Sequence, residues 1–343
     1  MSENFIESIR IKGFKSIFDA KVDLRNLNII IGANGTGKSN FLSLFSFIEA
    51  SVKSSKSCQK YVEQNGIDSL FYKPFNESSQ INISVSTKDN ILDFNYVPNK
   101  SNLIDSSWNM HPRNSPYDTN ISVFYLFCEI ASSWKSYHFY DTSFASKIKA
   151  SYKIKDSLIL ANDAHNLAPV LFKIKKDFPF HYEQIVYAVK MVIPYFNDFI
   201  LEEDEKNCVK LDWLQDGDNS VFESHQISTG TLRFISLATL LLKPRDPLVS
   251  TLIIDEPELG LHPFAISILA EIIKTASEEK QIIVATQSKD LIDNFHARDI
   301  IVTGKDENGS VYERLKEDEL AMWLEEGYSL GKLWSMNIFG GNI

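Results

Sequence analysis

Residues 32–39 read Gly-Ala-Asn-Gly-Thr-Gly-Lys-Ser, which sets glycines, a lysine and a hydroxyl in the spacing GxxxxGK[ST]. This is chemistry for a triphosphate. Glycines let the chain turn its backbone N–H groups inward around phosphate oxygens, in conformations that a Cβ obstructs. Lys38 adds a full positive charge for the β- and γ-phosphates, and the Ser39 hydroxyl is placed to ligate Mg2+. Gly32, Asn34, Gly35, Thr36, Gly37, Lys38, Ser39 and Asn40 are the expected nucleotide contacts. The NKxD sequence that usually accompanies guanine specificity is absent, which favours ATP.

A triphosphate cradle alone hydrolyses nothing. Asp255 and Glu256 close the apolar run Thr251-Leu252-Ile253-Ile254, so they fall at the C-terminal end of a buried strand, where ligands of open α/β sheets bind. Asp255 is expected to hold the metal's shell and Glu256 to polarise the attacking water. Successive strand residues point to opposite faces, but a chain already turning at the strand's end can aim both carboxylates at one site. Ser228-Thr229-Gly230 is a further anion-binding device, a hydroxyl and free N–H groups at the start of a helix. Taken alone it is an ordinary N-cap.

These groups need elements to hold them. Residues 5–14 and 20–32 read as two strands, the second continuously apolar before Gly32. A helix then runs from Lys38, with Phe41, Leu44, Phe45 and Ile48 at helical spacing, and dissolves into the polar stretch 54–60. Residues 81–97 alternate on either side of Lys88-Asp89-Asn90, as a hairpin does. Between 98 and 225 the pattern is weaker: a Pro/Asn-rich loop at 98–120, helices near 121–133 and 181–192, and a strand near 209–214. From 226 the order is a helix capped by Ser228 and stopped by Pro244, a strand ending in Asp255, a helix at 263–276 with Pro263 first, and a strand from 281. A short helix, strands at 299–303 and 310–315 and an acidic helix at 317–326 follow. Strands alternating with helices imply an α/β fold, a mainly parallel sheet flanked by helices.

Composition narrows the rest. With 343 residues, 44% of them apolar, the chain is a folded globular protein, and its net charge of −10 argues against general electrostatic capture of nucleic acid. Cys58, Cys128 and Cys208 form no CxxC pairing, which indicates neither a disulfide framework nor a zinc site. The N-terminus carries acidic residues and no long apolar run, and the stretch 121–131 is too short to span a bilayer, so a cytoplasmic protein without membrane attachment is expected.

In chain order these pieces resemble an ABC-type ATPase head: the phosphate loop, the Ser228-Thr229-Gly230 signature, Asp255-Glu256, a D-loop-like Glu258–Pro263, and Ala285–Ser288 where a switch histidine would stand. Residues 9–17 and 27–42 are similar to the SMC, RecF and OLD-like branch of that family. Residues 228–242, 255–263 and 328–334 resemble bacterial single-head AAA/ABC-type ATPases, relatives of which occur in antiphage defence operons. The resemblance covers roughly 1–50 and 225–343.

What it implies is specific. Two copies would sandwich ATP head to tail, Ser228 and Gly230 of one covering the γ-phosphate held by the other, in a homodimer or a higher oligomer. Gln287 would take the switch position, where it can hydrogen-bond phosphate or water but cannot change protonation near neutral pH. His262 would lie in the D-loop near the partner, or else bond the nearby backbone at its helix start. Gln59, Gln64 and Gln80 are equal candidates for the Q-loop residue. The expected division is an N-terminal ATPase lobe with an antiparallel β-subdomain (1–97), an inserted helical and mixed lobe (98–225) and a C-terminal ATPase lobe (226–343). The partner would be an effector, a nuclease or toxin encoded nearby. Nucleic acid is a further candidate, through Trp134, Tyr137, Phe139 and Tyr140 beside Lys135 and the basic stretch to Lys155. Alternatives are a DNA-maintenance ATPase, a non-hydrolysing ATP-dependent scaffold, a transporter subunit and a P-loop kinase or GTPase. Near the C-terminus, Leu333, Trp334, Ile338 and Phe339 must pack on the chain's own sheet or dock another chain.

Overall fold

A strand that is apolar at every position belongs where both faces of a sheet are covered, and all of Leu27–Ile31 is buried. The computed structural model describes residues 5–74, 79–99, 103–112, 121–139, 147–154, 159–217 and 220–340. Leu27–Ile31 sits in an 11-stranded sheet. The strand order is Ile104–Pro112, Asn90–Pro98, Ile81–Thr87, Ile6–Phe14, Ile17–Asp23, Gly309–Arg314, Ile300–Asp306, Leu27–Ile31, Gln281–Thr286, Thr251–Asp255, Trp134–Tyr137. Ile300–Asp306, Leu27–Ile31, Gln281–Thr286 and Thr251–Asp255 run parallel. From Gly309–Arg314 outward to Ile104–Pro112 the pairing is antiparallel.

The chain divides into two compact units, residues 1–136, 248–255 and 277–343 forming one, and 137–247 with 256–276 the other. The first holds the sheet and the helix Lys38–Lys53, whose Phe41, Leu44, Phe45 and Ile48 enter a core with Phe14, Ile83, Phe94 and Trp134. The second packs the helices Leu167–Asp177, Pro179–Val192, Thr229–Leu242 and Pro263–Ala276 together with two small antiparallel sheets. The sequence segment 226–343 contributes to both units, because its strand Thr251–Asp255 returns to the sheet between helices of the second. Among the described residues no helix is long and apolar enough to cross a membrane.

Several elements differ from the sequence reading. The stretch 20–32 is two strands, Ile17–Asp23 and Leu27–Ile31, which are not sheet neighbours. The break is held by the buried Asn28 side chain, which accepts from the Arg25 N–H at 2.9 Å and donates to the Arg25 carbonyl at 2.6 Å. Residues Ser55–Asn65 continue as a helix capped by Ser54, because Cys58 and Val62 give it one buried face that its polar composition hides. Much of the expected loop at 98–120 is the strand Ile104–Pro112, zipped residue by residue onto Asn90–Pro98; residues 113–120 lie outside those described.

Trp134, Tyr137 and Phe139 are core residues, at most 5% exposed, which removes them from reach of stacked bases. Tyr140 and Lys155 lie outside the described residues. The C-terminal apolar residues are covered within the chain: Leu330–Ser335 packs on Lys289–Ile292 and buries Leu333 and Trp334, Trp334 stacks on Phe339, and Ile338 and Phe339 line a cavity with Val302, Gly304 and Val311 of the sheet.

One buried side chain ties the parallel and antiparallel parts of the sheet together. Gln281 Nε2 donates to the carbonyls of Ile6 (2.7 Å) and Arg25 (3.0 Å), and its Oε1 accepts from the Ile6 N–H and the Thr251 hydroxyl, both at 2.9 Å. Gln281→Leu strands these partners, and a loss of about 3 kcal/mol is expected. Urea unfolding should show a lower midpoint with an unchanged m value.

Candidate nucleotide site

Between the strand Leu27–Ile31 and the helix Lys38–Lys53 the loop takes the conformations that its glycines permit. Gly35 has φ 79° and Gly37 φ 123°, the latter serving as the N-cap of the helix without a side-chain cap. The free N–H groups of the first helical turn therefore face the loop. Lys38 is 5% exposed, and its ammonium donates to the carbonyls of Gly32 (2.5 Å) and Ala33 (3.1 Å), while Asn34, Gly35 and Ser39 are exposed. A Cβ added at Gly35 meets nothing within 4 Å. Inward N–H groups, a lysine and an exposed serine hydroxyl fit a nucleoside triphosphate with Mg2+.

The loop rests on a part of the chain that sequence reasoning did not connect with it. The hairpin of Ile300–Asp306 and Gly309–Arg314 runs alongside, and three of its side chains touch the loop or its neighbours. Thr303 Oγ1 lies 2.5 Å from Thr36 Oγ1. Since the single Thr36 hydroxyl proton goes to the Ala33 carbonyl at 2.9 Å, Thr303 is the donor. Ser310 Oγ is 2.7 Å from Ser16 Oγ, which accepts from Asn40 Nδ2 at 2.6 Å. Tyr312 donates its hydroxyl to the Gly37 carbonyl at 2.9 Å, and its ring packs against Phe41 at 5.3 Å. Burial pushes the Tyr312 pKa up, so the phenol keeps its proton. The strand alternation of Ser310 and Tyr312 was a sequence signal, but nothing in it names the loop as their target.

Strand register brings the remaining groups of the first unit to the same edge. Ile31 stands opposite Thr286 and Val302, and Asp255 opposite Ala285. The loop, Asp255 and Gln287 thus leave neighbouring parallel strands at corresponding levels, at their C-terminal ends. Gln287 sits in a tight turn where the Ser288 N–H donates to Thr286 Oγ1 at 2.9 Å. Glu256 has φ 43°, a left-handed conformation uncommon for glutamate. The chain turns here, and the Glu256 carbonyl accepts from the Leu259 N–H at 3.2 Å.

Ser228, Thr229 and Gly230 belong to the second unit. Ser228 is the N-cap of Thr229–Leu242, accepting from the Thr231 N–H at 3.1 Å, and both Ser228 and Thr229 are exposed. Gly230 has an internal reason to be glycine: a Cβ there would run into the Gly260 carbonyl. Buried Arg233 fixes the same loop, donating to the carbonyls of Leu259 and, at 2.9 Å, of Phe139. An arginine among apolar helix residues was the available signal. His262 is exposed, and its Nδ1 accepts from the Phe264 N–H at 3.3 Å, the local backbone bond of a helix start. Gln59 and Gln64 lie exposed on the helix Ser55–Asn65, and Gln80 is exposed before the hairpin that begins at Ile81.

Comparison with known proteins agrees with this geometry. The family described as "AAA domain, putative AbiEii toxin, Type IV TA system" matches residues 27–293. A solved SMC head bound to the C-winged-helix domain of ScpA is similar with a TM-score of 0.66 at 18% identity, covering 93% of this chain and 99% of that one. The Pyrococcus furiosus SMC head bound to the C-terminal domain of ScpA gives 0.65 at 17%, covering 94% and 99%. The Pyrococcus yayanosii SMC head with a coiled coil and joint gives 0.60 at 13%, covering 94% and 99%. Over 59 residues, 17% of this chain, the sequence is 44% identical to the Old nuclease of Escherichia phage P2, and the match spans 10% of that protein's length.

The contact between Gly230 and Gly260 lies within one chain and needs no nucleotide. Gly230→Ala should therefore lower the thermal midpoint of the nucleotide-free protein, by an overpacking cost of about 1–3 kcal/mol. An unchanged midpoint in calorimetry would show that the approach of the Gly260 carbonyl is not what requires glycine here.

Proposed function

This chain belongs to the family described as "AAA domain, putative AbiEii toxin, Type IV TA system" and is a P-loop ATPase with the fold of an SMC head, and we propose that it works as a nucleotide-dependent pair of heads controlling an effector. The observation that carries the reading is the shared level at which the phosphate loop, Asp255 and Gln287 leave the parallel strands. ATP is the substrate. Backbone N–H groups of residues 35–40 and the Lys38 ammonium would hold its phosphates, and Ser39 with Asp255 would hold Mg2+, which when bound would supply neutralising charge to the phosphates. Glu256 takes a proton from the attacking water as general base, and Gln287 orients that water through its amide.

The exposed Ser228 end supports an action in trans. A serine cap, free N–H groups and a positive dipole end form an anion-binding surface, and a partner's γ-phosphate is an anion of the right kind. Hydrolysis would then part the heads. The family description couples such domains to toxins, and the stretch shared with the Old nuclease points to the same setting. On this reading the effector is a nuclease or toxin encoded beside this chain, in a cytoplasmic antiphage system.

Glu256→Gln keeps the shape and removes the base, so kcat should fall by about 100-fold or more while ATP still binds. Light scattering of this variant in saturating Mg–ATP should show a dimer, or closed heads if the parent is already oligomeric. Lys38→Ala should lose ATP binding and, with it, the nucleotide-driven dimer. A Glu256→Gln protein that binds ATP yet neither dimerises nor closes would remove the paired-head reading and leave an ATPase that acts singly.

A further inference from the structure

We infer that the hairpin Ile300–Arg314 is part of the nucleotide site, with Tyr312 and Thr303 as positioning residues that hold the phosphate loop in its binding form. This rests on the reading of residues 32–39 as a nucleotide loop. The hairpin lies beyond the segment 27–293 matched by the family, so that match does not assign it a role.

The argument begins with the glycines. A Cβ at Gly32 would collide with the Thr303 side chain, and one at Gly37 with Ser310 and the Tyr312 hydroxyl, whereas Gly35 has open space around it. The hairpin thus leaves no room for a Cβ at Gly32, and none at Gly37, whose φ of 123° already favours glycine. The loop is wrapped around its support as closely as a backbone allows.

The hydrogen bonds show what the support fixes. The Gly37–Lys38 peptide is planar, so its carbonyl and the Lys38 N–H point to opposite sides. The Gly37 carbonyl accepts from the Phe41 N–H within the helix and from Tyr312 outside it, both at 2.9 Å. Holding the carbonyl there turns the Lys38 N–H out of the helix start, toward the phosphate side. Thr303 acts one step earlier. By donating to Thr36 it orients the hydroxyl that closes onto Ala33, and so fixes the bend of the loop. Tyr312 is held in turn by packing on Phe41, which makes the hydroxyl a preset donor.

A support of this kind contributes to binding by preorganisation: a loop already in shape loses less entropy when the phosphates arrive. The effect falls on the shared α- and β-phosphates, so ATP and ADP should be affected alike. Catalysis, which depends on Glu256, should change little.

The test uses the full chain with Tyr312→Phe, which keeps the ring against Phe41, and with Thr303→Val and Thr303→Ser. Mg–ATP and Mg–ADP are titrated calorimetrically, and steady-state hydrolysis and the nucleotide-free melting temperature are measured in parallel. Tyr312→Phe and Thr303→Val should each raise Kd for both nucleotides about 5-fold, the equivalent of one ordinary hydrogen bond. Site occupancy should be unchanged, KM should rise and kcat should hold. Thr303→Ser, which keeps the hydroxyl, should restore the parent Kd. If Kd stays within about 2-fold of the parent for both nucleotides, the inference is overturned, whether or not the melting temperature falls. A parent protein that binds neither nucleotide removes the loop reading and this inference together, whereas a binding parent with unaltered variants removes the inference alone.

Discussion

The hydrogen-bond ladder of the parallel strands is the constraint on which the rest of the molecule depends. A parallel ladder allows only discrete registers, and a slip of one residue moves a strand end by about 3.3 Å and turns every side chain to the other face. In the register observed, Ile31, Thr286 and Val302 share a level, and Asp255 stands opposite Ala285. The phosphate loop, the acidic strand end and the Gln287 turn then start from one edge. Gln281, buried among the carbonyls of Ile6 and Arg25 and the Thr251 hydroxyl, connects strands at the opposite end of the same ladder.

From that edge the loop is shaped by two sets of neighbours. Inside, its N–H groups and Lys38 define an anion cradle. Outside, Thr303, Ser310 and Tyr312 leave no room for a Cβ at Gly32 or Gly37. A glycine-rich loop is mobile when free, and the hairpin removes that freedom while glycine removes the clash. Flexibility in the residue type and rigidity in the fold are therefore compatible, because the contacts, rather than the intrinsic preferences of the chain, select the conformation.

The second unit applies the same economy of space at another helix start. Gly230 lets the Gly260 carbonyl approach, and Arg233 holds the Leu259 carbonyl of that loop. Ser228 is thereby presented at a helix end whose following residues are fixed. Glu256, at the chain's passage from the strand into this unit, takes a left-handed backbone that glutamate rarely adopts. Such a conformation costs of order 1–3 kcal/mol and persists only where the surroundings hold it.

The sequence by itself determined the elements whose signals are local. Glycine spacing, an apolar run and helical periodicity located the phosphate loop, the strands ending at Ile31, Asp255 and Thr286, the Ser228 cap and the helices that follow. Each of these patterns depends on residues within a few positions of one another. The break at Arg25, the helix Ser55–Asn65 and the strand Ile104–Pro112 were hidden, because a side-chain clamp, a mostly polar helix and a partner strand outweigh local preference. Only the tertiary structure decided that Thr303, Ser310 and Tyr312 lie against the loop, and that Gly230 answers to Gly260. Those contacts join residues as far apart as 275 positions, as Tyr312 and Gly37 are, and at such separations composition and periodicity carry no information about which surfaces will meet.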